Sequence, residues 1–237
     1  MGNSKVLIIT EGARTDYRLM ERLLTQYNII DQHSIFPYKT NIYSLYNTMF
    51  KDTDPADYDI LSHLKSHEND PSKKELLDQR YSDILLIFDL EPHDSNFSNN
   101  KILTMAEYFV ESTDMGKLFL NYPMVEAFYH MKSIPDPDYY SYTVSIDELT
   151  SGTYKSRVNV ENRNRDYSKF AINKEENNIV IQQNLEKAYL INGTRKPYPN
   201  LIELLERQLS KLSAERNIYV LCTCIFYVLD YDSRLLN

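Results

Sequence analysis

The amino-acid sequence predicts an α/β fold, in which helices cover both faces of a parallel sheet and a mainly helical region follows. Short apolar runs rich in branched side chains recur in the first half of the chain, and amphipathic helical patterns separate them. This alternation, repeated three or four times, is typical of a parallel sheet with helical crossovers. After residue 178 helical patterns continue without a clear strand between them, which predicts the helical C-terminal region.

Strand predictions rest on continuous apolar runs without polar alternation, as expected when both faces of a strand are buried. The three strong runs are Lys5–Thr10 (KVLIIT), Asp83–Asp89 (DILLIFD) and Gly116–Asn121 (GKLFLN). A weaker pattern at Ile35, Phe36 and Tyr38 predicts one further strand.

Helix predictions rest on apolar residues spaced three and four apart. In Arg14–Tyr27, for example, Met20, Leu23 and Leu24 fall on one face. Pro123 suits the first position of a helix, where the missing N–H of proline is not needed, and this predicts a helix over Met124–Met131. The other helices predicted in this half are about 42–50, Pro55–Asn69, Pro71–Gln79 and Asn99–Glu111.

The pattern weakens after Pro135, and the chain is expected to comprise residues 1–134, a polar, tyrosine-rich insert or linker over 135–178, and a helical region over 179–237. Helices are predicted for Ile179–Leu190, Leu201–Leu212 and Asn217–Leu229. The last segment is apolar all round and fits a buried helix or a strand. Its length and the start signal at Ser213–Glu215 favour a helix.

Composition places the chain among ordinary globular proteins, with 42% hydrophobic and 25% charged residues. No apolar run approaches the ~20 residues of a membrane span. Cys222 and Cys224 lie two apart in one apolar segment and cannot form a disulfide framework. With an N-terminus that lacks a signal-peptide layout, these features predict a cytoplasmic protein without a membrane partner.

Charge is distributed unevenly along the chain, whose net charge is −8. Residues 1–154 hold 13 Lys/Arg against 24 Asp/Glu, giving −11, and residues 155–217 hold 12 against 8, giving +4. An acidic half beside a basic segment suits a metal-dependent enzyme acting on a polyanion, although a solvated charged surface explains it equally well. The 20 tyrosines likewise fit either core packing or stacking on bases or a partner.

Acidic residues follow two of the predicted strands directly. Glu11 comes after KVLIIT and precedes Gly12, which lets the backbone turn sharply, while Asp89 ends DILLIFD and Glu91 follows it. Residues two apart in extended backbone point the same way, so Asp89 and Glu91 are expected to converge, with Asp94 as a further ligand. A single acid at a strand end is more often a helix-capping residue. Two such strands, however, bring their acids together at the ligand-binding edge of a sheet. A set of carboxylates without Cys or His ligands favours Mg²⁺ or Mn²⁺.

Two segments in this context, LIITEGARTD at residues 7–16 and LLIFDLEPHD at residues 85–94, resemble the TOPRIM domain. That domain has Glu-Gly after its first strand and Asp-x-Asp after a later one. The residues that continue the first motif, EGARTD, are similar to those of TOPRIM nucleases of the OLD (overcoming lysogenization defect) type and of RloB-like abortive-infection proteins. NYPMVEAFYHM at residues 121–131 resembles the Asn-Pro … Glu segment of the RloB-like proteins, and the whole resemblance covers roughly residues 4–132.

The resemblance implies a Rossmann-like TOPRIM sheet and a Mg²⁺-dependent (or Mn²⁺-dependent) nuclease that hydrolyses phosphodiester bonds of DNA or RNA. It makes Glu11 a general acid/base or metal ligand, and Asp89 and Glu91 the metal ligands. Asp16 would support the site from the first turn of its helix, and Glu126 would be an additional acid. Glu91 departs from the pattern, because many relatives have Asp there, and its longer side chain changes the reach to the metal.

Proteins of these types are toxic effectors of bacterial anti-phage defence and usually work beside an ATPase. The resemblance therefore implies an antiviral role and a separate ATPase subunit, since the chain has no phosphate-binding loop of its own. Self-association into a homo-oligomer is a further option. The alternative to an enzyme is a non-catalytic TOPRIM-like module that binds nucleic acid or a partner protein.

The histidines carry a weaker signal. His63 and His67 are four apart on a predicted helix, which is a zinc-like spacing, but no third ligand accompanies them, and solvated histidines are the favoured interpretation. His93 lies between Glu91 and Asp94, a position that suits contact with substrate or proton transfer.

Overall fold

The computed structural model describes residues 5–50, 59–113, 115–194 and 198–236. It confirms the α/β fold class: a four-stranded parallel sheet is flanked by helices, with strand order β2-β1-β3-β4. β1 pairs in parallel with β2 and with β3, so that Thr10 lies opposite Pro37 on one side and Ile87 on the other. The strands are β1 (Val6–Thr10), β2 (His33–Pro37), β3 (Asp83–Asp89) and β4 (Lys117–Asn121).

Helices around this sheet begin where the sequence offers capping groups. Asp59 accepts a hydrogen bond from the Leu61 N–H, and Asp70 accepts one from the Ser72 N–H, each at a helix start. Residues 55–58, the beginning of the helix predicted over Pro55–Asn69, lie outside the described residues. The helices are α1 (Thr15–Gln26), α2 (Ile42–Phe50), α3 (Ile60–His67), α4 (Pro71–Leu77) and α5 (Asn99–Tyr108).

By compactness the chain divides into two units, Met1–Phe88 with Thr104–Leu118 and Asp89–Leu103 with Phe119–Asn237. In the first unit every residue of β1 is buried, and Leu85–Phe88 of β3 are buried as well. This burial explains why both runs are apolar at consecutive positions rather than at alternate ones. Leu19, Leu23 and Leu24 of α1 complete the core on the helical side.

The second unit contains a two-stranded antiparallel sheet of β5 (Thr143–Ser145) and β6 (Asn217–Tyr219). Its longest helix is preceded by Asn173, whose side chain accepts from the Glu176 N–H, and ends at Gly193 with φ +70°. The helices are α6 (Ile146–Thr150), α7 (Thr153–Glu161), α8 (Lys174–Asn192), α9 (Leu201–Glu215) and α10 (Tyr227–Tyr231). Short 3₁₀ helices span Ile30–Gln32 in the first unit, and Val125–Tyr129, Tyr139–Ser141, Tyr167–Lys169, Cys224–Phe226 and Ser233–Leu236 in the second.

Two helix predictions were wrong in part. Asn217–Leu229 begins as strand β6 and becomes helical only from Cys224, because Arg216 ends α9 with φ +54° and Ile218 pairs with Val144. The helix predicted over Met124–Met131 is a short 3₁₀ helix, Val125–Tyr129.

The polar segment predicted as an insert or linker contains β5, α6 and α7. Ser145 and Glu148 form a capping box at the start of α6, a signal that the sequence carries. The separation of residues 135–178 and 179–237 into distinct regions stays a prediction.

Tyrosines contribute to the core, as one of the two interpretations predicts. Tyr43, Tyr122, Tyr139 and Tyr154 are among the largest fully buried side chains.

None of the helices in the described part of the chain combines the length and the apolar character needed to cross a membrane.

Candidate metal centre

Glu11 follows the last residue of β1, and its backbone N–H donates to Ile87 O at 2.9 Å, which continues the pairing with β3. The preceding Thr10 is fully buried, and its hydroxyl donates to Gly12 O at 2.9 Å. The backbone around Glu11 is thus fixed on both sides at the carboxyl end of the strand.

Gly12 and Asp16 fit together in the first turn after the strand. The Gly12 N–H donates to Asp16 Oδ2 at 3.1 Å, and a Cβ built at Gly12 would overlap that same oxygen. Gly12 is therefore required because Asp16 approaches it closely. A left-handed turn is not the reason, because Gly12 does not have the positive φ found at other glycines of this chain. Asp16 is buried and acts as a support of this loop.

Asp89, the last residue of β3, is buried and held by a neighbouring strand end. Asn121, the last residue of β4, donates from Nδ2 to Asp89 Oδ1 at 3.2 Å. The other side-chain atom of Asn121, Oδ1, accepts from the Thr223 N–H at 3.2 Å and the Cys224 N–H at 3.3 Å. This fixes the amide orientation, so that its NH₂ group faces the carboxylate.

Glu91 adopts a left-handed backbone conformation, with φ +39°. Its N–H donates to Pro123 O at 3.1 Å, and its carbonyl accepts from the Asp94 N–H at 2.9 Å. The extended backbone that we expected between Asp89 and Glu91 is therefore wrong, although the two side chains do converge.

The structure brings Glu11, Asp89 and Glu91 together, and we call these three residues the acidic centre. One carboxylate oxygen of each lies within 4.8 Å of those of the others. Two oxygens on opposite sides of one Mg²⁺ are about 4.2 Å apart, because each bond is about 2.1 Å long. Small side-chain adjustments would therefore let all three bind one cation.

Burial perturbs the Glu91 carboxylate of the acidic centre. Burial raises the pKa of Glu91, because its carboxylate loses contact with water, and repulsion from Asp94 and Glu126 adds to this. Electrostatic interaction with His93 and Lys155 opposes the rise in pKa. A cation at the centre would lower this pKa, because it favours the charged carboxylate.

Glu126 lies beside the acidic centre and has a buried carboxylate. Its side chain is 7% exposed, and Oε1 lies 3.2 Å from Lys155 Nζ. Oε2 is buried and has no hydrogen-bond partner among the described residues. A buried carboxylate oxygen without a partner is costly, and a cation at the neighbouring acidic centre would offset part of that cost because it favours the charged carboxylate. The donor set therefore fits Mg²⁺ or Mn²⁺.

Asp94 was predicted as a further ligand, but it does not belong to the acidic centre. Its Oδ1 accepts from the Asn96 N–H at 2.7 Å, because the chain turns back after Glu91.

His93 lies close enough to act on Glu91 electrostatically. His63 and His67 lie side by side with ring centroids 4.3 Å apart, and no metal-binding group of described residues includes them.

Sequence reasoning missed Asn121 and Lys155. Asn121 could have been found, because it ends a buried strand as Asp89 does. Lys155 lies in α7, within the segment expected to be an insert, and only the basic charge of residues 155–217 pointed toward it.

Comparisons of the chain with protein-family models, with curated proteins and with solved structures give no match. Fold and site together define an α/β protein with a carboxylate centre at the C-terminal edge of a parallel sheet.

Proposed function

We propose that this protein is a Mg²⁺-dependent nuclease that hydrolyses phosphodiester bonds of nucleic acid. The observation that carries the proposal is the convergence of Glu11, Asp89 and Glu91 within 4.8 Å. It lies at the ends of parallel strands, where α/β proteins bind their ligands. The resemblance of the segments around these residues to TOPRIM nucleases supports the same reaction class.

Hydrolysis adds the oxygen of a water to phosphorus and breaks one P–O bond, so one proton must leave the water and one must reach the departing oxygen. Bound by the acidic centre, Mg²⁺ would polarise the phosphate and stabilise the developing charge. Glu11 has two roles in the proposal: one of its carboxylate oxygens would bind the cation, and the other would transfer the proton. Asn121 orients Asp89, and Asp16 holds the loop that follows Glu11.

The biological setting proposed here depends on the resemblance alone. It is that of a toxic effector in bacterial anti-phage defence, acting in the cytoplasm beside a separate ATPase subunit.

The test is cleavage of labelled single- and double-stranded DNA and RNA in Mg²⁺ or Mn²⁺, with and without a chelator. We expect the parent to cleave at least one substrate. Asp89→Asn and Glu11→Gln should each be at least about 100-fold slower, since even residues that only orient metal ligands cost 10- to 100-fold. Glu107→Gln, which removes an exposed carboxylate of α5, is the matched control and should leave the rate unchanged.

Equal cleavage by the parent and both centre variants would contradict the proposal. A parent that binds nucleic acid in Mn²⁺ but cleaves none of the four substrates would instead support the non-catalytic module.

A further inference from the structure

Lys155 contacts the carboxylate beside the acidic centre and also faces solvent. Its Nζ lies 3.2 Å from Glu126 Oε1, while 58% of its side chain is exposed. The same charge interacts with Asp89 and Glu91. The ammonium group therefore has one side toward the carboxylates and room for a second ligand.

α7 holds Lys155 in this place through contacts of its neighbours. Tyr154 and Val158 are buried. Arg157 pairs with Glu148 at 2.8 Å and donates to Thr143 O at 2.8 Å. Because these contacts fix α7 independently of Lys155, the position of the lysine backbone does not depend on its own ion pair.

The helix itself does not explain a lysine at this position. Lys155 is the third residue of α7, where the partial positive charge of the helix dipole disfavours a cation. The carboxylates around its ammonium group outweigh that effect. A cation that lies against the helix dipole and next to acids indicates a role in the site.

Charge balance indicates what that role is. The acidic centre and Glu126 together present four carboxylates, and one divalent ion neutralises only two of them. A phosphodiester would still meet net negative charge. Lys155 supplies the next positive charge, on the solvent side from which a substrate arrives.

We propose that Lys155 is a phosphate-binding residue of this site and that its ammonium group binds a phosphate of the nucleic-acid strand. The proposal rests on the proposed function in one respect: the ligand is taken to be nucleic acid.

The experiment compares the parent with Lys155→Gln, Lys155→Arg and Lys169→Gln. Lys169, an exposed lysine of the same basic segment paired with Asp166, is the matched control. Two quantities are measured: Mn²⁺ affinity by electron spin resonance, and binding of a labelled single-stranded DNA or RNA oligonucleotide in Ca²⁺ over a range of NaCl concentrations.

We expect Lys155→Gln to bind the oligonucleotide about 10-fold more weakly, with a salt dependence reduced by roughly 0.7, as for one lost phosphate contact. Its Mn²⁺ affinity should rise several-fold, because a neighbouring positive charge is removed. Lys155→Arg should stay close to the parent, and Lys169→Gln should match it.

Unchanged oligonucleotide affinity and salt dependence in Lys155→Gln would overturn the proposal. Weaker Mn²⁺ binding in that variant would also overturn it, since it would make the lysine a structural support of the centre. A parent that binds no oligonucleotide would overturn both proposals. A parent that binds through Lys155 but never cleaves would refute only the nuclease.

Discussion

Glu91 combines a costly backbone conformation with a position in the acidic centre. A glutamate at φ +39° is strained by about 1–3 kcal/mol, and such residues cluster at functional sites. Two backbone hydrogen bonds, to Pro123 O and from the Asp94 N–H, hold it there. This left-handed conformation turns the chain so that Glu91 faces Asp89. Extended backbone was expected to bring the two side chains together instead.

Replacement of Glu91 can separate this strain from the function of the carboxylate. Glu91→Gly should be more stable than Glu91→Ala by about 1 kcal/mol, because only glycine adopts positive φ without cost. Both variants should lose Mn²⁺ affinity. Urea unfolding gives the order of stability, and electron spin resonance gives the affinity. An alanine variant as stable as the glycine variant would show that the backbone stores no strain there.

At the scale of elements, the end of β4 is tied to the segment that follows β6. Tyr122 and Leu221 exchange two backbone hydrogen bonds of 2.8 Å, and the Thr223 hydroxyl donates to Leu120 O at 2.7 Å. Asn121 lies between these contacts and joins the segment to Asp89. The C-terminal segment thereby helps to position a metal ligand.

Loss of the Asn121 amide should affect stability and metal binding together. Asn121→Ala leaves the buried N–H groups of Thr223 and Cys224 without their acceptor, at a cost of about 2–3 kcal/mol in the free energy of unfolding. It also frees Asp89, so Mn²⁺ affinity should fall roughly 10- to 100-fold. Asn69→Ala, at an exposed position, should change neither quantity. Normal Mn²⁺ affinity in a destabilised Asn121→Ala would refute the positioning role.

The elements that sequence predicted best are those with a decisive apolar pattern. β3 matches its predicted bounds, and β1 differs by one residue, because a continuous apolar run of that length fits a buried strand. Residues 217–229 were misassigned, since a segment that is apolar all round has no period to distinguish helix from strand. β5 is only three residues long, and its pairing with β6 decides its conformation.

At the scale of the whole molecule, the predictable part of the site follows from topology. Strands β1 and β3 are neighbours and parallel, so acids at their carboxyl ends must lie close together, and the sequence sufficed to predict this. The contact between Glu126 and Lys155 joins a 3₁₀ turn to a distant helix. No periodic pattern encodes such a tertiary contact, and only the structure supplied it.

Stability of the whole chain should depend on pH through a buried histidine. His130 is fully buried, with Nε2 3.0 Å from Glu161 Oε2 and Nδ1 3.3 Å from the Tyr154 hydroxyl. The carboxylate can only accept, so Nε2 carries the proton. Burial excludes the charged imidazolium and lowers the pKa of His130 to about 4, although the hydrogen bond to Glu161 opposes this.

Because this pKa lies below the ordinary value of 6.5, the unfolded chain takes up a proton over that interval while the folded chain does not. The contribution of His130 to the free energy of unfolding is therefore fully present above pH 6.5 and is lost as the pH falls toward 4. The part of this loss that falls between pH 7 and pH 4.5 is on the order of 2 kcal/mol. His130→Gln removes the titrating group, so the stability advantage of the parent over this variant should shrink by that amount between pH 7 and pH 4.5. Urea unfolding of both proteins at each pH measures the difference, and an advantage that stays constant would show that His130 is not held in its neutral form.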